Sequence, residues 1–369
     1  MCDLENCTED IFSEPIVYAS YNERIVYVAI TSFICITGSF GNTLVILAVF
    51  ISKKLRNKTN TFVVNLAVAD LVSCMNLPWM ALAILCVDHW PLPSWICMWE
   101  GMCLMVSTGC SLYTLGGIAL SRACLITLPT HRFHEMLTTK TLTVLVAAFW
   151  MIPVAVAATP FAVSYNFFGF NPRYSMCIWN TTHPFSPTYN LVIATSLYPI
   201  PLIIIFASYI RIWRHVRVHS RRMARVTAQI VSVSASIGGA PRPRNVFSAR
   251  QMSVTKNLFL IIIVFLLLTS PYTILLVIPG GERLVPALAM IFLFNSCVNP
   301  FIYGTRHPDF KVAFRNILRC PAMSNQPMES TSSVDDQNPQ RNQPNVKRFM
   351  GHRERKLSNI KPPWTASTA

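Results

Sequence analysis

The sequence predicts an all-α membrane protein: a seven-transmembrane helix bundle with a short amphipathic cytosolic helix. Three observations carry this. Charged residues are 13% of the 369 and hydrophobic ones 52%, where a soluble domain carries about 25% charged. Seven apolar stretches approach the roughly 20 residues a helix needs to cross hydrocarbon. The basic residues collect in alternate connections.

The elements follow in order. Residues 1–23 form an acidic N-terminal segment, with Asp3, Glu5, Glu9, Asp10, Glu14 and Glu23. They lack the basic and apolar regions of a secretory signal, so the first span is expected to act as its own insertion signal. The spans read Ile25–Ile51, Thr61–Val87, Ile96–Leu120, Leu142–Ala162, Leu191–Trp213, Leu258–Ile278 and Val285–Thr305. Pro78, Pro153, Pro160, Pro199, Pro201, Pro271 and Pro300 sit in or at the ends of these spans. A membrane bundle tolerates them because neighbours re-satisfy the freed carbonyls. The run Asp309–Leu318 places Phe310, Phe314, Ile317 and Leu318 on one side of a helix. Residues 24–320 thus form the bundle with its surface helix. Residues 321–369, rich in Asn, Gln, Pro and Ser, are expected to be a disordered cytosolic tail.

Loop charge sets the orientation. Lys53, Lys54, Arg56 and Lys58 fill the first connection. The fifth, from Arg214 to Arg250, is arginine-rich and has no acidic residue. Arg306, Lys311, Arg315 and Arg319 follow the last span. The predicted location is the plasma membrane, multi-pass, with the N-terminus extracellular. The net charge of +15 reads as an orientation signal, and no nucleic-acid partner is expected. Two glycosylation sequons fall outside, at Asn6 and Asn180; a third at Asn57 falls inside and is discarded.

Polar side chains inside spans are costly and are functional candidates by default. The first span holds Asn42 and the second Asn65-Leu66-Ala67-Val68-Ala69-Asp70. The third ends in Ser121-Arg122-Ala123 and the fourth holds Trp150. The fifth has Pro201 and Tyr209, the sixth Phe265 and Pro271, the seventh Asn299-Pro300-Phe301-Ile302-Tyr303. One such feature is common by chance; the ordered set, one per span, is not.

That set resembles the rhodopsin-like class of G-protein-coupled receptors, over about Arg24 to Cys320. The Leu-Ala-x-x-Asp and Asn-Pro-x-x-Tyr runs are the most specific parts, and the third- and seventh-span wording is nearest to melatonin-receptor-like and orphan receptors. The resemblance implies an extracellular ligand, a heterotrimeric G protein, and arrestin and receptor kinase as further partners. It implies coupling and activation roles for Arg122, Tyr209, Asn299, Pro300 and Tyr303. It implies a sodium ion as an allosteric ligand held by Asp70, Ser111, Asn295, Ser296 and Asn299, with no other cofactor. It pairs Cys97 with Cys177, and it makes Asp309–Leu318 a membrane-surface helix with a palmitoylation site at Cys320. Cys2, Cys7 and Cys86 are left as candidates for a further outside bridge.

The departures are specific. Ser121 stands where the family has an acidic residue beside the third-span arginine, and Ala123 where it has an aromatic one. Gln251 lies near the expected acidic partner on span six. Thr269 replaces the tryptophan two residues before the sixth-span proline, and Leu268 the preceding cysteine. Ligand-independent signalling is therefore expected.

The ligand is less legible. Leu104 stands where amine receptors carry an aspartate, and no lysine lies between Val285 and Tyr303, which excludes a retinal Schiff base. Glu100, one turn nearer the outside, is a candidate for meeting a cationic ligand group, against the plainer reading of an interfacial carboxylate in water. Leu104 and Tyr272 join it as ligand-binding candidates, with Trp79, Tyr113, Tyr198 and Asn76 as possible pocket lining. A transporter or channel would show internal repeats or a charged pore ring, and an intramembrane enzyme a metal or nucleophile cluster. The sequence shows neither, and the predicted protein is not an enzyme.

Overall fold

The computed structural model describes residues 17–18, 20–86, 89–164, 167–234, 262–275 and 281–319. Its helices are α1 Tyr21–Ile51, α2 Asn60–Leu85, α3 Ser94–Thr127, α4 Thr130–Met136 and α5 Thr139–Ala158. They continue with α6 Ser186–Ser196, α7 Pro199–Ser234, α8 Ile262–Leu275, α9 Val285–Arg306 and α10 Pro308–Leu318. Two strands, β1 Phe168–Asn171 and β2 Met176–Trp179, pair antiparallel between α5 and α6, with Phe170 opposite Cys177.

Among the described residues, six stretches are long and apolar enough to cross a membrane, and α8 is an apolar helix of 10–17 residues in the place of the sixth span. Outward-facing side chains are apolar: Ile36, Ile203, Leu267 and Phe301 are all at least 66% exposed. Water is a poor solvent for such a surface, and lipid a good one. α3 is the most enclosed, with 67% of its apolar window buried against 22% for α5. It therefore runs through the middle of the bundle and touches both ends of the machinery described below.

Local chemistry fixes the helix ends. Ser20 caps α1 by accepting from the Glu23 amide, and Glu23 sits in the first turn, where a carboxylate favours the helix dipole. Thr138 caps α5 by accepting from the Thr141 amide. α10 starts on Pro308 with Asp309 in its first turn, and buries Phe310, Ala313 and Phe314. The Phe310 ring stacks on Tyr303 at 5.2 Å between centroids.

Two expectations about the fifth span are corrected. It is not one helix over Leu191–Trp213: α6 ends at Ser196 and α7 begins at Pro199. Pro199 and Pro201 lack amide donors, and the Tyr113 phenol of α3 donates to the Ser196 carbonyl at the break, 2.7 Å away. Nor does the helix stop at Trp213. It runs to Ser234, so Arg214, Arg217, Arg221, Arg222 and Arg225 lie on α7 rather than in a loop. No Gly or Pro interrupts residues 202–234, and Arg, Ala, Met and Gln favour helix. The predicted sequon at Asn6, the lipidation site at Cys320, Gln251 and the tail all lie outside the described residues.

Candidate functional site

Asp70 of α2 is 1% exposed. Its Oδ1 accepts from the Ser111 hydroxyl of α3 at 2.9 Å, and its Oδ2 from the Asn299 amide of α9 at 2.8 Å. Both donors are neutral. A buried carboxylate with only neutral partners retains much of its desolvation cost, which a cation or a proton would relieve. Asn295 and Ser296 are buried on the same helix as Asn299, but neither side chain bonds Asp70. The Ser296 carbonyl instead accepts from Asn42 of α1 at 2.8 Å. The structure therefore gathers Asp70, Ser111 and Asn299, and sets Asn295 and Ser296 one turn away.

A second polar chain ties three spans. Trp150 Nε1 of α5 donates to Asn65 Oδ1 at 3.0 Å, and Asn65 Nδ2 donates to Thr114 of α3 at 2.7 Å.

At the end of α3, Arg122 has Tyr209 of α7 and Tyr303 of α9 as electrostatic neighbours, and its Nε is buried without an acceptor among the described residues. Ser121 does not reach it: the Ser121 hydroxyl donates back to the Ile118 carbonyl at 2.9 Å. Where the family places a charge, this chain has a hydroxyl satisfied by its own helix.

At the opposite end lies a cavity of about 140 Å³. Leu104 and Leu112 of α3, Tyr198 at the α6–α7 break, Phe265 and Tyr272 of α8 and Phe292 of α9 form much of its wall. Among the described residues, no acidic or basic side chain lines it. Its roof is Cys177-Ile178-Trp179 of β2, and Cys177 is disulfide-bonded to Cys97 at the start of α3. Gly101 permits that approach, since a Cβ there would stand 2.6 Å from the Cys177 carbonyl oxygen.

Of the sequence candidates, Leu104, Tyr198 and Tyr272 line this cavity. Glu100 does not. It is 1% exposed, with Oε2 buried and without a hydrogen bond among the described residues, so it is neither in the cavity wall nor an interfacial carboxylate in water. Trp79 is 40% exposed and outside the cavity. Tyr113 is used at the α6–α7 break, and Asn76 donates to the Val72 carbonyl of its own helix. Cys86 is a free thiol; Cys2 and Cys7 lie outside the described residues.

Two features escaped the sequence. The Tyr198 hydroxyl stands 3.2 Å from Thr269 and 2.7 Å from Ser270, joining the α6–α7 break to α8 at the cavity where the family's tryptophan is missing. A hydroxyl pair just before Pro271 and a tyrosine just before Pro199 were the available signals. The other is Arg24, 4% exposed. Its Nη1 donates to the Ile84 carbonyl, the Cys86 carbonyl and Ser175 Oγ at 2.6, 3.0 and 2.7 Å. Tyr18 covers it, with the guanidinium carbon 4.6 Å from the ring centroid. Burial raises the Tyr18 phenol above its ordinary pKa, so that ring stays neutral over the cation. A lone arginine at the head of an apolar span reads as an interface residue; here it pins α1, α2 and the hairpin turn together.

Asn180 follows β2 in an exposed position. Its Oδ1 accepts from the Thr182 amide and hydroxyl at 3.0 and 2.8 Å.

A family profile described as "7 transmembrane receptor (rhodopsin family)" matches residues 41–303. Among similar proteins, the melatonin receptor type 1B-B of Danio rerio is 27% identical over 307 residues, covering 79% of this chain and 81% of that protein. The allatostatin-A receptor of Bombyx mori is 26% identical over 306 residues, covering 78% of each. The crystal structure of squid rhodopsin shares the fold, with a TM-score of 0.65 at 22% identity, covering 85% of this chain and 93% of that one.

Proposed function

The chain belongs to the rhodopsin-like family of G-protein-coupled receptors, and from that premise we propose that it answers a small, uncharged, largely apolar extracellular ligand. The observation carrying this is the cavity: among the described residues its wall has no carboxylate or ammonium, and its polar groups include the hydroxyls of Thr108, Tyr198, Thr269 and Thr273. Such a wall takes up apolar groups, whose transfer out of water is favourable, and orients a few hydrogen bonds, but offers no counter-charge to a cation.

In this reading the N-terminus and the β1–β2 hairpin are extracellular, and Arg122 faces the cytosol of the plasma membrane. The ligand shifts a two-state bundle through the contacts of Tyr198 with Thr269 and Ser270, and Arg122, Tyr209 and Tyr303 meet the G protein in the active state. Asn299 and Pro300 let α9 change shape between the two states. The protein transmits binding and catalyses nothing itself; arrestin and a receptor kinase act on the active form. Asn180 carries a glycan, and Asn6 a second.

Sodium fits the Asp70 cluster. Asp70 and Ser111 offer buried oxygens, with Asn299, Asn295 and Ser296 close by on α9. Bound there, the ion supplies the positive charge that the neutral donors lack, and holds the resting state.

The test is nucleotide exchange on a panel of purified G-protein heterotrimers, with receptor in nanodiscs and a library spanning uncharged and cationic compounds. Ligand-dependent exchange confined to uncharged compounds supports the reading. Activation by cationic amines alone overturns the ligand class.

A further inference from the structure

The hydrogen-bonding groups of the cavity beneath the hairpin fall into two sets. On the α8 side their protons are committed within the protein. Thr269 Oγ1 donates to the Phe265 carbonyl at 2.9 Å, and Thr273 Oγ1 donates to the Thr269 and Ser270 carbonyls, 3.1 and 3.0 Å away. With its proton on Phe265, Thr269 can only accept from Tyr198. The one Tyr198 proton therefore stays in its contacts with Thr269 and Ser270. A bound molecule meets oxygen lone pairs on this side rather than free protons.

The roof is different. Trp179 ends β2, opposite Phe168 in the hairpin. It lines the cavity, is 8% exposed, and its ring meets Tyr189 edge-on at 5.7 Å between centroids. The Tyr189 hydroxyl is turned to Met105 Sδ and the Val156 carbonyl, 3.4 Å from each. The Trp179 indole Nε1 is buried and has no acceptor among the described residues. An indole N–H can only donate. Buried without an acceptor, it forfeits the hydrogen bond it would make to water. Buried polar groups are paired as a rule, so an orphan N–H in a cavity wall calls for an acceptor in whatever fills the cavity. The hydroxyls of Thr108 and Tyr272 also line the cavity without a hydrogen bond among the described residues, but each can donate or accept. Trp179 alone of the three fixes the direction.

We propose that the cavity takes a ligand whose hydrogen-bond-accepting oxygen, a carbonyl or an ether, meets the Trp179 indole N–H under the hairpin. The apolar body of the ligand lies on Leu104, Leu112, Phe265 and Phe292. Thr108 and Tyr272 bond the same oxygen or a second polar group. A carboxylate also accepts, but the wall has no basic side chain among the described residues, so it would lose its hydration without a counter-charge. The inference rests on the reading of an uncharged, largely apolar ligand: the uncharged wall sets the charge, and Trp179 sets the polar group and its place.

The experiment is NMR of the full-length receptor in nanodiscs with 15N-indole tryptophan, without G protein. The chain has eight tryptophans, and Trp179→Phe identifies its own resonance by loss. Three probes of one shape are titrated at equal concentration in the lipid phase. Acetophenone accepts through its carbonyl, cumene has a methyl group there, and 1-phenylethylamine is a cation at neutral pH. Affinities are read by saturation transfer to the probes. Binding in the cavity is the part lost in Leu104→Trp, which fills it. Acetophenone is expected to move the Trp179 indole proton downfield and to bind about fivefold more tightly than cumene, the net worth of one hydrogen bond. Trp179→Phe should abolish that preference and leave cumene within about twofold of wild type. Replacing Trp179 by 3-benzothienylalanine, which keeps the bicyclic shape and has sulfur for the N–H, should do the same and serves if the phenylalanine variant does not fold.

An unmoved Trp179 resonance, or equal affinity for acetophenone and cumene, overturns the proposal and leaves the apolar cavity standing. Equal loss of both probes in the Trp179 variants also overturns it, because the indole would then act by packing alone. Preference for 1-phenylethylamine, or no cavity binding of either uncharged probe, overturns the uncharged-ligand reading itself and the proposal with it.

Discussion

Asn299 of α9 donates to Asp70 of α2 at 2.8 Å, across 229 positions of sequence. One buried carboxylate thereby joins the second, third and seventh spans, since Ser111 holds its other oxygen. If a sodium ion completes this cluster, the resting receptor should be stabilised by sodium and not by a bulky organic cation. The expected result is a higher Tm of the purified receptor in sodium chloride than in N-methylglucamine chloride at equal ionic strength. Asp70→Asn should remove that difference. A sodium-dependent Tm that persists in the variant would place the ion elsewhere.

Ser121 bonds Ile118 and leaves Arg122 without an adjacent charge. Charge-assisted hydrogen bonds are roughly twice as strong as neutral ones. Losing about 1–2 kcal/mol from the resting state shifts a two-state equilibrium by about five- to thirtyfold. Basal nucleotide exchange should therefore be measurable. Ser121→Asp should lower it at matched surface expression, and Arg122→Ala should weaken all coupling. Unchanged basal exchange in Ser121→Asp would make the missing carboxylate irrelevant.

The disulfide between Cys97 and Cys177 closes a long loop, with a sequence separation of 80. The chain-entropy estimate for such a loop is roughly 4 kcal/mol. Cys97→Ser should reduce surface expression and free the roof of the cavity. Surface levels and signalling equal to wild type would contradict the tether.

The two N–H groups of Arg24 Nη1 serve three acceptors, the Ile84 and Cys86 carbonyls and Ser175 Oγ of the hairpin turn. A hydrogen bond to a charged group contributes about 1.5–3 kcal/mol, and leaving its acceptors buried adds to the loss. Arg24→Met, which keeps the apolar stem, should destabilise by at least about 2 kcal/mol, read as a lower Tm. The effect should be smaller in Arg24→Lys. A Tm equal to wild type in Arg24→Met would show that the hairpin is held by the disulfide alone.

Much of this architecture is legible in the residues themselves. Span length and loop charge mark the helices because lipid demands apolar length and leaves basic residues at the ends, as in Ile25–Ile51 followed by Lys53 and Lys54. The α10 helix is legible because Phe310, Phe314 and Ile317 recur at helical spacing. The break at Leu197–Tyr198 was marked by Pro199 and Pro201, but hydropathy is blind to it, since both sides are apolar. The polar run of α7 beyond Trp213 is hidden for the opposite reason: its arginines are too polar for a span yet favour helix.

The site divides the same way. Asp70 stood out because a carboxylate in an apolar span needs a reason, and its partners Ser111 and Asn299 are hydrogen-bonded to it. Glu100 carries the same signal, but helical spacing alone does not show that its side of α3 is covered by protein rather than water. The Tyr198–Ser270 contact crosses 72 positions, and nothing local in either segment encodes it.

The most direct test of the account is agonist-driven nucleotide exchange in wild type and in Leu104→Trp, which fills the cavity from α3 and leaves Arg122, Tyr209 and Tyr303 unaltered. Receptor in nanodiscs would be compared with purified G protein, using the uncharged agonists found in the library screen. The account predicts that Leu104→Trp keeps basal exchange and loses the agonist response. An agonist response that survives Leu104→Trp at wild-type potency would contradict it, because the ligand would then act from outside this cavity.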